Sequence, residues 1–509
     1  MHASPRPSAD EPGATLRRLR FPVLASLVLA GVALHASHGH WIGDFWEHSA
    51  VVRELATHPL HPRHPLLVIG APHALANPYA LLLGLLCRLT GASAVTGLAV
   101  ASVVNLLMLL VALRVFVRRF APAQVDAVCF YLLLFMLLLW GLEPWDFSGF
   151  YHVNVIVHSL PYPSAFAFWV SLLLLALNEK RIAHGEPRLL LLIVPMSTLV
   201  LLAHPPTFLF VAAGLVAMSV DAPRRLNEAV VAVSALAAAV AAALAWPYFP
   251  LWTLLTGASE THTRNAVMYA KPLMRTFPAL LGLPPLLTSA RRTGRWRIVA
   301  WIAILFVIYV YGFVAEKYAF GRVVFFMVFL LQLELARFVA QRESSIEAGE
   351  TRSGWKMWTA AAVLVCLLLS ARALVRTARD TLSSSTYADY TFLRREVGQY
   401  DVMMTDRRIG WIAASFGGKL VSEENPVALV SENEHEARRS DVTTFFSAAT
   451  TDHDRWGLLR KYGASFVLVP RSTGADSARV SESTLAALGR VAHADAHFLL
   501  VRIDSNVRR

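Results

Sequence analysis

Residues 21–48 read FPVLASLVLAGVALHASHGHWIGDFWEH. The first seventeen are an apolar run of about the length a bilayer crossing needs. No small-residue cleavage pattern follows, so the run reads as a retained helix over 21–37. The stretch then turns polar and delivers Gly43-Asp44-Phe45-Trp46-Glu47-His48 beside the membrane face. This is the first place where the chain offers chemistry. Asp44 and Glu47 are three apart and share a helix face. They also fit a capping box, with Asp44 as N-cap and Glu47 as third helical residue before Val51, Val52 and Leu55. A cap and a catalytic carboxylate are compatible, because capping fixes a carboxylate in place.

Outward from this stretch the chain is mostly apolar. Of 509 residues, 56% are hydrophobic and 16% charged, with a mean hydropathy of +0.49. A soluble domain carries roughly 25% charge. Runs of membrane-spanning length recur over 93–117, 123–142, 161–179, 188–204, 206–220, 227–246, 275–290, 298–314, 321–340 and 356–375. With the first helix they predict an all-α polytopic membrane protein of about 11 transmembrane helices. Residues 73–90 are short and interrupted by Pro78, and read as a juxtamembrane helix on the outer face. That placement sorts the loop charges, with 20 Lys and Arg inside against 8 outside before the C-terminal domain. The N-terminus is then cytoplasmic and the C-terminal domain extracytoplasmic, in the inner or plasma membrane.

Residues 1–20 read as a disordered cytoplasmic tail and 21–375 as the membrane domain, with outer loops 38–92, 143–160 and 246–275. Ser383-Ser384-Ser385 opens a segment of different composition. Within 380–509, strands read at 401–405, 419–422, 465–469 and 497–503, and a helix capped by Asp452 runs to Tyr462 with Gly463 as its stop. This is a small α/β domain without a Gly-rich phosphate loop. The net charge of +12 does not point to nucleic acid, since residues 376–509 carry 18 basic against 17 acidic side chains. Cys87, Cys129 and Cys366 all lie in apolar segments, so no disulfide framework is expected.

Eight of the eighteen histidines lie between His35 and His73. Pro59, Pro62 and Pro65 interrupt the series His58, His61, His64, so a Pro-broken loop is read there and no metal site. The second outer loop holds Glu143-Pro144-Trp145-Asp146, at the same face as Asp44 in this topology. Such residues are ordinary at an interface, yet two carboxylates could divide base and orienting roles. The loop 246–275 begins Trp246-Pro-Tyr-Phe-Pro250 and carries Glu260, His262, Arg264 and Lys271. It suits either a lipid-phosphate headgroup or an interfacial anchor. Lys317 and Arg322 flank Tyr318-Ala-Phe-Gly321 at an outer helix end. A phosphate oxygen is one reason for cations there; snorkelling is the other.

The layout resembles the GT-C superfamily of polyprenyl-phosphate-sugar-dependent glycosyltransferases, on its bacterial branch related to protein mannosyltransferases and arabinosyl or aminoarabinose transferases. The resemblance rests on Asp44 after helix 1, on His73-Ala-Leu-Ala-Asn-Pro-Tyr-Ala-Leu-Leu-Leu-Gly84 and Leu89-Thr90-Gly91, on Pro161-Tyr-Pro-Ser164, on Gly321-Arg322, and on Leu458-Leu-Arg-Lys-Tyr-Gly463 before a strand. It implies a sugar moved from a polyprenyl phosphate, with inversion, to an acceptor hydroxyl on a cell-envelope glycan, lipid or protein. Asp44 matches the first-loop base and Asp146 or Glu143 the assisting acid; Glu47 stands three residues after Asp44, where some relatives have an adjacent acid. Arg322 and Lys317, with Arg264 and Lys271, would bind the donor phosphate; no cofactor is expected to be required, and a divalent metal is an alternative that is not predicted. The rival readings are a lipid-linked saccharide ligase or polymerase, a transporter, and a non-catalytic scaffold. A transporter predicts ionisable groups at mid-membrane and paired repeats, whereas here ionisable residues cluster at span ends except Glu334.

Overall fold

The structure is a computed structural model that describes residues 12–256, 265–347, 364, 368, 370–379, 381–382, 389–424, 429–471 and 480–503. The span read at 356–375, the serine run at 383–385, and Glu260, His262 and Arg264 lie wholly or largely outside the described residues. The chain divides into two compact units.

The first unit comprises residues 1–40, 99–245 and 262–384 and is helical. Across the chain, five described helices are long and apolar enough to cross a bilayer: Leu19–His38, Ala94–Phe120, Arg225–Leu244, Arg297–Val314 and Tyr318–Ser345. This is a multi-pass membrane protein. The count of eleven crossings stays an expectation, because several predicted spans are shorter as helices. Residues 188–204 and 206–220 form Leu190–Ala203 and Pro205–Met218, separated at His204-Pro205 where proline ends the hydrogen-bond ladder. The span read at 275–290 is a 3₁₀ turn, Phe277–Gly282, followed by an 11-residue helix, Leu283–Thr293. The first helix starts at Pro12, inside the stretch read as a tail. Packing is aromatic and close: Phe210 stacks between Trp301 at 4.6 Å and Phe326 at 4.7 Å. A Cβ on Gly282 would lie 2.1 Å from the Leu331 carbonyl oxygen, so only glycine lets that turn meet the helix Val324–Glu347.

The second unit comprises residues 41–98, 246–261 and 385–509. The first outer loop therefore folds with the C-terminal domain, whereas the sequence reading placed it with the membrane helices. Five strands, β1 Val402–Thr405, β2 Lys419–Leu420, β3 Ala464–Pro470, β4 Gly489–Ala494 and β5 Phe498–Ile503, form a sheet of order β2-β1-β3-β5-β4. β1 runs parallel to β2 and β3, and β5 antiparallel to β3 and β4. β4 escaped the sequence reading because Arg490-Val-Ala-His-Ala494 is a half-exposed edge without a buried apolar run. The helix before β3 is capped by Thr451, whose Oγ1 accepts from Asp454 N–H, and not by Asp452, which is its first residue. The β2 edge is covered by the first outer loop: Leu420 N–H donates to the Leu66 carbonyl at 2.7 Å.

The helix Pro78–Thr90, capped by Asn77 onto Ala80 N–H, packs on the helix Phe45–Thr57. A Cβ on Gly84 would sit 2.8 Å from Leu55 Cβ. Its 13 residues cover about 20 Å at the α-helical rise, less than the roughly 30 Å of a hydrocarbon core. Cysteines engineered at Ser93 and Arg118 should label from opposite sides of the membrane. Labelling of both from one side would make the eleven-span topology wrong, and the reversed pattern, Ser93 from the inside and Arg118 from the outside, would mean that residues 73–90 cross.

Candidate functional site

In the second unit, Gly43 takes a left-handed φ of 62°, which lets the chain turn sharply into the helix Phe45–Thr57. Trp41 stacks flat on Phe45 at 4.3 Å and fixes the entry. The Asp44 carbonyl accepts from His48 N–H at 3.0 Å, starting the helix. The Asp44 side chain makes no capping hydrogen bond to that helix and is exposed. The capping-box expectation is thereby corrected: Asp44 sits in helical φ/ψ and not in the extended conformation that points a cap oxygen at the first turn. Glu47 turns instead toward His73, with its Oε1 at 3.4 Å from His73 Nε2. His73 Nδ1 accepts from Leu75 N–H at 3.3 Å, which leaves the proton of a neutral ring on Nε2, facing Glu47. His64 is oriented the same way, its Nδ1 accepting from Leu66 and Leu67 N–H, and its ring meets that of His73 edge-on at 5.0 Å. These histidines are fixed by loop backbone, which no spacing rule in the sequence reveals.

His48, one turn after Asp44, is buried, and that burial pulls its pKa down to about 4, against a raising effect of Glu47. The unfolded chain, titrating near 6.5, binds the proton that the folded chain refuses. The stability is complete above pH 6.5 and is lost as pH falls toward 4, by on the order of 3 kcal/mol for this group alone. Unfolding of a His48→Leu protein should show a shallower acid slope over that window than the natural chain. An unchanged slope would assign the acid sensitivity elsewhere, for instance to His64, which burial also holds well below its usual range.

In the first unit, the second outer loop is gripped at both ends. Gly141 and Leu142 N–H donate to the Arg275 and Met274 carbonyls at 2.9 and 3.0 Å. The Arg275 guanidinium lies 5.3 Å over the Trp145 ring and donates to the Glu143 carbonyl. Trp145 Nε1 donates to the Val267 carbonyl at 2.8 Å. Glu143 and Lys271 each hold a left-handed φ, 53° and 52°, immediately before a proline. Backbone strain of this kind costs about 1–3 kcal/mol and concentrates at functional sites. At the other end, Arg322 Nε donates to Asn265 Oδ1 at 3.0 Å, Nη1 reaches Ser148 Oγ at 3.4 Å, and the guanidinium lies 5.3 Å from the Phe147 ring. Arg322 is thus brought to the segment next to Asp146. The Asp146 side chain is 62% exposed, and its Oδ1 lies 3.9 Å from Nε2 of buried His152, which also meets the Trp145 carbonyl at 3.0 Å. Lys317, before the turn Tyr318–Val323, and Lys271 are exposed. Asn265, Arg275 and His152 were not singled out from sequence, because their contacts to Arg322, to the Glu143 carbonyl and to the Trp145 carbonyl appear only once the chain is folded.

The aromatic entry Trp246–Pro250 belongs to the second unit. Trp246 Nε1 donates to the Ala76 carbonyl at 3.0 Å and Tyr248 Oη to the Pro59 carbonyl at 2.5 Å, so both tie the entry to the first outer loop. Among the described residues no three His, Cys, Asp or Glu side chains are grouped closely enough to hold a metal ion.

No family model matches the chain, and no curated protein matches it in sequence. Solved structures do. The oligosaccharyltransferase of Archaeoglobus fulgidus in the apo form matches with a TM-score of 0.50 at 12% identity, over 88% of this chain and 69% of that one. The same enzyme tethered to an acceptor peptide containing the NVT sequon matches at 0.49 and 11% identity, over 88% and 69%. Its complex with Zn and sulfate matches at 0.48 and 12%, over 87% and 68%. At this identity the likeness to the apo enzyme shows a shared fold.

Proposed function

We propose that this chain is a membrane glycosyltransferase that moves a sugar from a polyprenyl-phosphate donor to an acceptor hydroxyl at the outer face of the membrane. The observation that carries this reading is Arg322: on a GT-C fold, a guanidinium at a helix start is directed onto the loop segment next to Asp146, where two of its N–H groups meet neutral oxygens. A phosphate can replace such neutral acceptors at a gain, because a planar guanidinium binds it bidentately. In the step proposed, the acceptor O–H gives its proton to the Asp44 carboxylate while its oxygen bonds to the anomeric carbon. The bond from that carbon to the phosphate oxygen breaks, and polyprenyl phosphate leaves as an anion. A single displacement inverts the anomeric centre. Arg322, with Lys317, Lys271 and Arg264, balances the leaving charge, and Asp146 or Glu143 orients the acceptor.

The reading is tested with the purified full chain, cell-envelope extract as acceptor, and a panel of radiolabelled undecaprenyl-phosphate hexoses and pentoses. Transfer or hydrolysis of one donor is expected; inertness toward all of them, in a protein shown to be folded, overturns it. Arg322→Ala should bind that donor about 10–100-fold more weakly, since hydrogen bonds to charged groups contribute about 1.5–3 kcal/mol each, and Arg322→Lys should restore only part. Undiminished donor affinity in folded Arg322→Ala removes the clamp. A second reading, a lipid-linked saccharide ligase, is favoured by the fold neighbour being an oligosaccharyltransferase. Preference for an oligosaccharide donor over the monosaccharide panel would select it.

A further inference from the structure

We propose that the C-terminal sheet positions the first-loop carboxylate, and that the run Ser415–Leu420 entering β2, with Lys419 as the first residue of that strand, is the positioning element. The proposal rests on the reading of Asp44 as the base. The run grips the helix Phe45–Thr57 near both ends. Ser415 Oγ donates to the Trp46 carbonyl at 3.0 Å, in the first turn after Asp44. Two turns further on, Arg53 Nη2 donates to the Gly418 carbonyl at 2.8 Å. Lys419 Nζ donates to Glu54 Oε2 at 2.7 Å and to the His64 and Pro65 carbonyls at 2.8 and 3.1 Å, so all three ammonium hydrogens are used. Glu54 is completed by Arg63 N–H at 3.0 Å and Gln399 Nε2 at 3.3 Å. Gly418 is left-handed, with φ 68°, and a Cβ there would lie 2.9 Å from the Asp401 carbonyl oxygen, so the close passage of this run requires glycine.

A buried ion pair holds a fold no better than well-packed apolar groups do; its attested use is to fix one register. Here the register is that of the helix whose first residue follows Asp44, against a rigid sheet. A helix transmits a displacement along its axis, and a misplacement of about 1 Å can cost 10²-fold in rate. Lys419 acts through Asp44 and touches no reacting atom.

The test uses the full chain, with turnover of a radiolabelled undecaprenyl-phosphate hexose or pentose counted per folded molecule. Glu54→Leu combined with Lys419→Met keeps the volume apolar and removes the directional bonds. Its kcat should fall roughly 10–100-fold, with KM for donor within about twofold. In an Asp44→Asn background the same pair of substitutions should cause no further loss, since the group being positioned is gone. A purely structural role would lower the folded fraction alike in both backgrounds and leave kcat per folded molecule unchanged. Ser415→Ala, a far milder change, should lower kcat several-fold and serves if the double variant fails to fold. Unchanged kcat in these variants, with Asp44→Asn impaired, overturns the positioning role alone. Full turnover in Asp44→Asn overturns the base reading, and this inference with it.

Discussion

Asp44→Asn is expected to bind donor as the natural protein does and to turn over about 10²–10⁴-fold more slowly, the range general-base catalysis supplies. An acceptor hydroxyl is a poor nucleophile at neutral pH and needs a group to take its proton as the new bond forms. An exposed carboxylate at a helix start meets that need. Asn caps helices about as well as Asp, and the Asp44 side chain makes no cap bond to begin with. Thermal stability should therefore stay near that of the natural chain, which separates the chemical role from the structural one. The deciding measurement is transfer by the purified variant from the donor found in the panel. Turnover within a few-fold of the natural protein would move the base to Glu47, Glu143 or Asp146.

Lys419→Met should be strongly destabilising to the second unit. Glu54 and Lys419 side chains are each 1% exposed. Removing the ammonium leaves a buried carboxylate whose main counter-charge is gone, at a cost of about 3–5 kcal/mol. Burial by itself would raise the Glu54 pKa; the Lys419 ammonium and the Arg63 and Gln399 donors outweigh it and hold the carboxylate below its usual range. Its stabilising share is present above the unfolded-state pKa and is lost as pH falls through the folded one. Burial brings Lys419 down to about 8, against Glu54, so both partners are charged at neutral pH. The double variant Glu54→Leu/Lys419→Met should unfold close to the natural protein, because no charge is left stranded. Thermal unfolding of the full chain at pH 7 decides it: a single variant as stable as the double would mean that the pair is solvated and not buried.

What the residues alone determined follows from local rules. Apolar runs need a bilayer, and glycine after Tyr462 stops a helix; these depend on neighbours a few positions away. Four strands of the C-terminal sheet were legible for the same reason, as short buried runs, and the exposed edge strand Gly489–Ala494 was not. Asp44 stood out because a carboxylate after an apolar run is visible in one dimension. The tertiary structure alone decided which side chains share an environment. Lys419 reads as an ordinary surface lysine in Gly418-Lys-Leu, yet it is buried against Glu54, 365 residues earlier. Arg275 reaches the Glu143 carbonyl and Arg322 reaches Ser148 from more than a hundred residues away. The domain boundary moved likewise: composition changes near 380, but residues 41–98 pack with the sheet beyond it. A buried charge has to find its partner wherever the fold provides one, since leaving it unpaired costs several kcal/mol. That pairing is set by three-dimensional closure, and no spacing in the chain records it.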